Sequence, residues 1–261
     1  MMNYLKQWGI YTMQNLTNEN YYEHNEYMSA SQFKDFYKCE AYGLAKYKGE
    51  WVDGTNNAFL IGGYVDAYFS NELELYRFSH PEMTNKDGTL KAIYQIAEVV
   101  IKADEEDEYM LHLLTGGQTQ LIQTGTISGV PFKIKMDNVL DDTIVDGKVM
   151  KDTKDVWQDG YKAFWEAYGY DIQLAIYQYI HAQNEGVKKT CKLAVTTKEA
   201  VPEKAVYKFT QKTLDNALEI VKNLAPRYHD IKLGLIEPIG CGKCAYCRSK
   251  MKLNESMERE I

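Results

Sequence analysis

Asp137, Asp146 and Lys148 stand in two strand-like runs of the sequence, KIKMD and TIVDGKV, which are joined by Asp141-Asp142. Side chains of a strand alternate between its faces, so Asp146 and Lys148, two apart, face the same way. A tight turn at Asp141-Asp142 brings Asp137, which ends the apolar alternation of the first run, close to Asp146. Two carboxylates and an ammonium on one buried hairpin face are costly unless they are paired or hold a divalent cation. Shared carboxylates that bind Mg²⁺ or Mn²⁺ offer a Lewis acid and a bound hydroxide, as phosphodiester hydrolysis requires. A neighbouring lysine orients the attacking water or offsets charge on the phosphate. Taken alone, the hairpin better suits an exposed ribbon with ordinary surface charge. A second triplet, Asp152-Thr153-Lys154, keeps the choice open; Asp146-Lys148 is preferred because Ile144 and Val145 lead into it as a strand.

The cysteines form the second constellation. Cys241, Cys244 and Cys247 make a C-x2-C-x2-C run in a polar loop, a spacing suited to metal. Three thiolates leave one position open for a tetrahedral zinc or a cubane cluster, and Cys39, on the first predicted helix, is the natural fourth. Cys191 lies on an apolar strand and reads as a buried core thiol.

The elements that position these residues follow from periodicity. Ser29 or Ser31 caps a helix carrying Phe33, Phe36, Tyr37 and Cys39, and residues 54–57 break the chain. Ala58–Ser70 reads as a second, mostly buried helix. Residues 80–118, helical around Lys91–Thr115, read as an insertion. Gln120–Ser128, Pro131–Leu140 and Thr143–Val149 are three strands, with Ser128-Gly129 supplying the first turn. A helix over Tyr168–Asn184 ends at Gly186. Two strands follow, Cys191–Thr196 and Ala205–Phe209. Thr210 then caps a last amphipathic helix with Leu214, Leu218, Val221 and Leu224 on one face. This order predicts an α/β (α+β) fold: a mixed central sheet flanked by helices, αβββαβ, with a Cys-rich C-terminal loop over 237–248.

The chain has 261 residues, of which 45% are apolar, enough for one domain, expected over 28–250 between a loosely attached leader (1–27) and a charged tail (251–261). No run approaches the roughly 20 apolar residues of a membrane span. The first residues lack the apolar core of a signal peptide, so a cytosolic, reducing compartment is the expectation. The net charge of −7 gives no bulk attraction to nucleic acid, although an acidic metal site also lowers the total.

The hairpin resembles the core of the PD-(D/E)xK nuclease superfamily, and within it the RecB-like and RecE-like phage exonucleases. Three further features carry the resemblance over roughly residues 28–250. Gly62-Gly63-Tyr64-Val65-Asp66 stands where such families place a glycine-containing helix with a metal-binding histidine, here replaced by Asp66. Gln173-Leu174-Ala175-Ile176-Tyr177 matches the Gln-x3-Tyr motif of RecB-like members, and the element order agrees with the superfamily core. Met136 stands where many members have proline. The resemblance implies a restriction-endonuclease-like fold and metal-dependent exonuclease action on DNA in phage or prophage recombination or repair. By the same resemblance Asp66, Asp137 and Asp146 hold Mg²⁺ or Mn²⁺, with the Gly147 carbonyl as a further ligand. Lys148 positions the nucleophilic water, Gln173 and Tyr177 support substrate and lysine, and a single-strand annealing protein is the partner. One cysteine before the core and three after it is the layout of relatives whose 4Fe–4S cluster staples the domain ends; zinc is the alternative. On this reading Lys148→Ala abolishes Mg²⁺-dependent digestion of linear duplex DNA with the fold intact. Two rival readings stand beside it: a catalytically inactive nuclease-like module that binds nucleic acid or a partner, and a Cys-cluster redox or zinc-ribbon module attached to an unrelated α/β domain.

Overall fold

A computed structural model describes residues 16–54, 57–157 and 160–252. The first half of the predicted leader (1–15), the centre of the break at 54–57 and most of the tail (253–261) lie outside the described residues. Residues 16–27 are described, and Tyr21 and Tyr27 are buried in them, with the Lys133 ammonium donating to the Tyr21 and His24 carbonyls.

The chain opens with α1 (Ala30–Lys38) and α2 (Glu40–Tyr47), then α3 (Asn57–Phe69), α4 (Leu73–Ser79), a 3₁₀ turn at Pro81–Met83, α5 (Ala92–Glu105) and α6 (Glu108–Thr115). Three long strands follow: β1 (Gln118–Ile127), β2 (Val130–Val139) and β3 (Thr143–Met150). After a short pair, β4 (Val156–Trp157) and β5 (Tyr161–Lys162), come α7 (Phe164–Ala167) and α8 (Tyr170–Glu185). The chain closes with β6 (Thr190–Thr197), β7 (Lys204–Lys208), α9 (Gln211–Lys232) and α10 (Ala245–Lys250). The main sheet has the order β1-β2-β3-β6-β7, antiparallel except for the parallel β3–β6 pair. A parallel neighbour requires a long crossover. Here α8 makes it, buried over most of its surface because it packs on β1 and β2 while α1 and α9 cover it. The mixed sheet flanked by helices is the α+β arrangement expected from the sequence.

The order of elements agrees with the periodicity, and four local expectations are revised. Cys39 is not inside a helix: extended backbone there (φ −172°, ψ 122°) separates α1 from α2. The predicted helix over 91–115 is two helices, because the Asp107 carboxylate caps the second by accepting from the Tyr109 and Met110 amides. The Cys-rich segment over 237–248, expected as a loop, turns helical at Ala245, so that Cys247 lies within α10. The helix after the third strand starts at Tyr170, once the small β4–β5 ribbon and α7 have intervened.

Two positions show how sequence sets geometry. Ser128 and Gly129, at φ 49° and 80°, form the two-residue turn between β1 and β2; two successive positive φ angles match the right-handed twist of the flanking strands. Gly43 lets α2 fold back on α1, since a Cβ there would lie 2.7 Å from the Phe36 Cα and amide nitrogen. Gly43→Ala is therefore expected to destabilise the protein by about 1–3 kcal/mol through overpacking, read as a lower urea midpoint at unchanged slope.

The apolar core lies between the sheet and α1, α8 and α9, with Phe33, Phe132, Ile134, Leu174, Ile176 and Val221 among its fully buried members. A second cluster joins α3 to α5 through Ile61, Tyr64, Tyr94, Ala97 and Val100. The α3–α5 layer stands over the other side of the sheet, against β3 and β6.

Candidate active site

The site arises where β2 and β3 part. These strands pair only at Asn138–Val145 and Val139–Ile144, next to the Asp141-Asp142 turn. Beyond that point β2 no longer offers a backbone partner to β3. The Asp137 carboxylate takes its place, its Oδ2 accepting from the Gly147 amide at 2.9 Å. On the other edge of β2, Gln120 of β1 adopts a positive φ of 52°, and its Nε2 donates to Asp66 Oδ1 at 3.1 Å. The helix α3 thus delivers Asp66 to the face of the sheet that carries Asp137.

Asp146 and Lys148 do share a face. Lys148 Nζ lies 2.7 Å from Asp146 Oδ2 and 3.6 Å from Asp137 Oδ2, and donates to the Gly147 carbonyl at 2.9 Å. The Asp146 side chain is 1% exposed. Burial pushes its carboxyl up to about 6; Lys148 opposes that shift and Asp137 adds to it. Burial also works against the Lys148 charge, but Asp146 and Asp137 outweigh it and hold the ammonium above the ordinary lysine range. Asp66 is reached by solvent through the cleft, yet protein surrounds its carboxyl. Desolvation, and then the Asp137 charge, push it up to about 7.

Behind this row lies a hydrogen-bonded support. Gln173 Nε2 donates to Asp146 Oδ1 at 2.7 Å and to the Tyr177 hydroxyl at 3.2 Å, while Gln173 Oε1 accepts from Lys34 Nζ at 2.7 Å. Tyr177 is buried behind Gln173 and does not line the cleft, so its hydroxyl contacts the glutamine and not the solvent side. The triplet Asp152-Thr153-Lys154 sits in the connection after β3. There Asp152 Oδ1 accepts from the Lys154 amide, and neither charged residue lines the cleft. Of the two Asp-x-Lys triplets, only Asp146-Lys148 is brought together with Asp137.

Sequence reasoning missed Lys34, Gln120 and Tyr170. Lys34 is 139 positions from Gln173, and no local pattern marks it. Desolvation lowers its ammonium to about 8, with Lys148 as the next cause. Both ammonium groups lie over the Tyr170 ring, at 5.5 and 6.0 Å from its centroid. Tyr170 was findable: with Gln173 and Tyr177 it completes an i, i+3, i+7 face of α8. Gln120 depends on a left-handed backbone that its residue type does not announce.

The donor set suits a hard divalent cation. Asp66, Asp137 and Gly147 line the cleft; the Gly147 amide bonds the Asp137 carboxylate and the Gly147 carbonyl accepts from Lys148. Gln120 Oε1 is buried and without a hydrogen-bond partner among the described residues. Such all-oxygen sets are what Mg²⁺ and Mn²⁺ take.

The cleft itself measures about 2100 Å³. Its lining carries eight lysines against six carboxylates, so it is locally basic within a chain of net charge −7. Exposed aromatic rings stand along it, with Phe59 72%, Trp157 68% and Tyr168 49% accessible. At one end, Cys241 and Cys244 reach the wall. They converge with Cys247 and Cys39, all four sulfur atoms lying within 4.8 Å of one another, so the four cysteines named from the sequence do form one group. Cys191 is buried under α8, where its thiol donates to the Leu174 carbonyl.

This fold and this arrangement of charges define a PD-(D/E)xK-type core. The chain belongs to the family described as a PDDEXK-like domain of unknown function, DUF3799, whose model matches residues 29–250. Among solved structures it is similar to the crystal structure of a protein named "Putative exonuclease" from Eubacterium rectale. The two are 40% identical, with a TM-score of 0.84, over 93% of this chain and 96% of that one. No curated protein matches the chain. Among the described residues, no helix is long and apolar enough to cross a membrane.

Proposed function

We propose that the protein is a divalent-metal-dependent deoxyribonuclease that digests DNA from its ends. The observation that carries this reading is the convergence of Asp66, Asp137, Asp146 and Lys148 where β2 and β3 separate, at the wall of a large, lysine-lined cleft. In this reading Asp66 and Asp137 hold the cation with the Gly147 carbonyl, and Asp146, beneath them, fixes Lys148. A bound Mg²⁺ would supply the Lewis acid and lower the pKa of the attacking water.

The chain's own groups do the rest. Lys148, pinned between two carboxylates, presents an N–H to the water or to a non-bridging phosphate oxygen as charge develops there. Gln173 and Tyr177 hold Asp146 so that Lys148 does not swing away. Lys34 and the other lysines of the cleft neutralise backbone phosphates, a local attraction that the net charge conceals. Phe59, Trp157 and Tyr168 offer faces on which unpaired bases stack. Action from ends is supported by the relative's name and by the sequence resemblance to RecB-like and RecE-like enzymes, which also suggests a place in recombination or repair.

The test is digestion of linear duplex DNA beside the same plasmid as a covalently closed circle, with Mg²⁺, with Mn²⁺ and with a chelator. The linear form is expected to disappear in either metal and to survive in the chelator, while the circle persists. Nicking or linearisation of the circle at a comparable rate would make the enzyme an endonuclease. Digestion undiminished by the chelator would remove the metal from the reading.

A further inference from the structure

We propose that Cys39, Cys241, Cys244 and Cys247 hold a single zinc ion, and not the iron–sulfur cluster that the resemblance to stapled nucleases implies. The argument is one of spacing. A zinc ion with Zn–S bonds of about 2.3 Å places its four sulfur atoms about 3.8 Å apart at the corners of a tetrahedron. A cubane carries each thiolate on a separate iron at a corner of a larger body, which spreads the four sulfur atoms to roughly 6 Å. Here every pair lies within 4.8 Å. Cys39 Sγ is 3.6 Å from Cys247 Sγ, and Cys241 Sγ is 4.0 Å from Cys247 Sγ. These separations leave room for one ion and none for four irons with four sulfides.

The surrounding chain holds the sulfur atoms at that spacing. Gly242, at φ 70°, turns the loop so that the Lys243 and Cys244 amides both donate to Cys241 Sγ, at 3.4 and 3.3 Å. The Cys241 amide donates to Cys39 Sγ, and the Cys247 amide to Cys244 Sγ, each at 3.4 Å. Four N–H donors directed at three sulfur atoms fix the positions of those atoms. Gly240 lies beside the group, and an added Cβ there would come within 3.3 Å of the Cys247 sulfur. Cys39 is buried at the joint of α1 and α2, Cys241 and Cys244 lie in the loop that leads into α10, and Cys247 lies in its first turn. Four protein ligands close the coordination sphere, so the ion is structural and leaves no position for substrate. Zinc itself has no redox chemistry, so the metal of this clamp at the end of the cleft takes no part in electron transfer.

The deciding measurement is metal content of the full chain, expressed with zinc and iron both supplied, purified without oxygen and dialysed against excess Mg²⁺ to clear the carboxylate site. The expected result is about one zinc per chain, iron and acid-labile sulfide below about a tenth of an equivalent, and no visible absorption from sulfide-to-iron charge transfer. Near-stoichiometric iron with labile sulfide and a brown colour would overturn the proposal, and so would a colourless protein that holds neither metal. Cys244→Ser is expected to reduce bound zinc by at least about tenfold. Should that variant fail to fold, replacement of zinc by Co²⁺ in the unaltered chain gives a second reading. Intense visible bands of a tetrahedral tetrathiolate site are expected, and the weak spectrum of six-coordinate cobalt would count against it.

Discussion

Replacing Lys148 by alanine is expected to lower the turnover of linear DNA by about a thousandfold at saturating Mg²⁺, the usual loss when a group aimed at developing charge is removed. The sequence alone suggests that this substitution leaves the fold untouched. The structure says otherwise. Lys148 is the ion-pair partner of Asp146, whose side chain is 1% exposed, and removing one member of a buried pair costs about 3–5 kcal/mol where the other stays charged. Asp146 will escape part of that cost by taking up a proton. Its folded-state pKa, already raised by burial, rises further without Lys148. A folded pKa above the unfolded value means that the folded state binds the extra proton, so stability falls as pH rises through the interval between the two. Lys148→Ala should accordingly melt well below the wild type at pH 8 and approach it at pH 5. Lys148→Arg separates chemistry from folding. It keeps a cation beside Asp146, so its melting temperature should stay close to that of the wild type. Its planar fork does not reproduce the compact ammonium between Asp137, Asp146 and the Gly147 carbonyl, so its turnover should fall by about a hundredfold or more. Near-normal turnover by both variants would sink the assignment of Lys148 to the chemistry.

What the sequence made legible and what it did not have separate physical causes. Alternation fixes the faces of β2 and β3, and the Asp141-Asp142 turn fixes their proximity, so Asp137, Asp146 and Lys148 could be read as a group. Helical spacing likewise marks Gln173 with Tyr177. Cys39 could be assigned to the C-terminal run because three thiolates in a polar loop lack a ligand. Lys34 carries no such mark: it reaches Gln173 only because α1 packs against α8. The parting of β2 from β3 is equally silent in the sequence. It follows from how few residues of the two strands pair, and it opens the space in which Asp137 bonds the Gly147 amide. The break at Cys39 is a further case. The local pattern of that segment is helical, and the extended backbone at Cys39 is tied to tertiary structure: its thiol sits against Cys247 and the Cys241 amide, about 200 positions away.

Asp66 offers a sharper test of the metal site, because stability and activity should move in opposite directions. With no cation bound, its carboxyl is desolvated and faces Asp137, and its pKa stands at about 7 against an ordinary value of 3.8. The folded state therefore binds more protons than the unfolded state between these values. Metal-free stability is full below about pH 4, declines as pH rises through the window and reaches its full loss above about 7. Asp66→Asn abolishes that slope. At pH 8 the metal-free variant should melt above the metal-free wild type, and at pH 4 the two should coincide. Addition of Mg²⁺ reverses the order, since a ligand bound only by the folded state stabilises by about 2.7 kcal/mol at a hundred times its dissociation constant. The wild type should gain more from Mg²⁺ at pH 8 than at pH 6, because the cation competes with the proton on Asp66. The variant should gain little at either pH and should lose about a hundredfold or more in DNA digestion. An asparagine variant that is more stable without metal, weaker with it and nearly inactive would describe a site that gives up stability for function. If the variant matches the wild type in its response to Mg²⁺, Asp66 is not a ligand, and the aspartate at the end of the glycine-containing helix is only a solvated neighbour of Gln120.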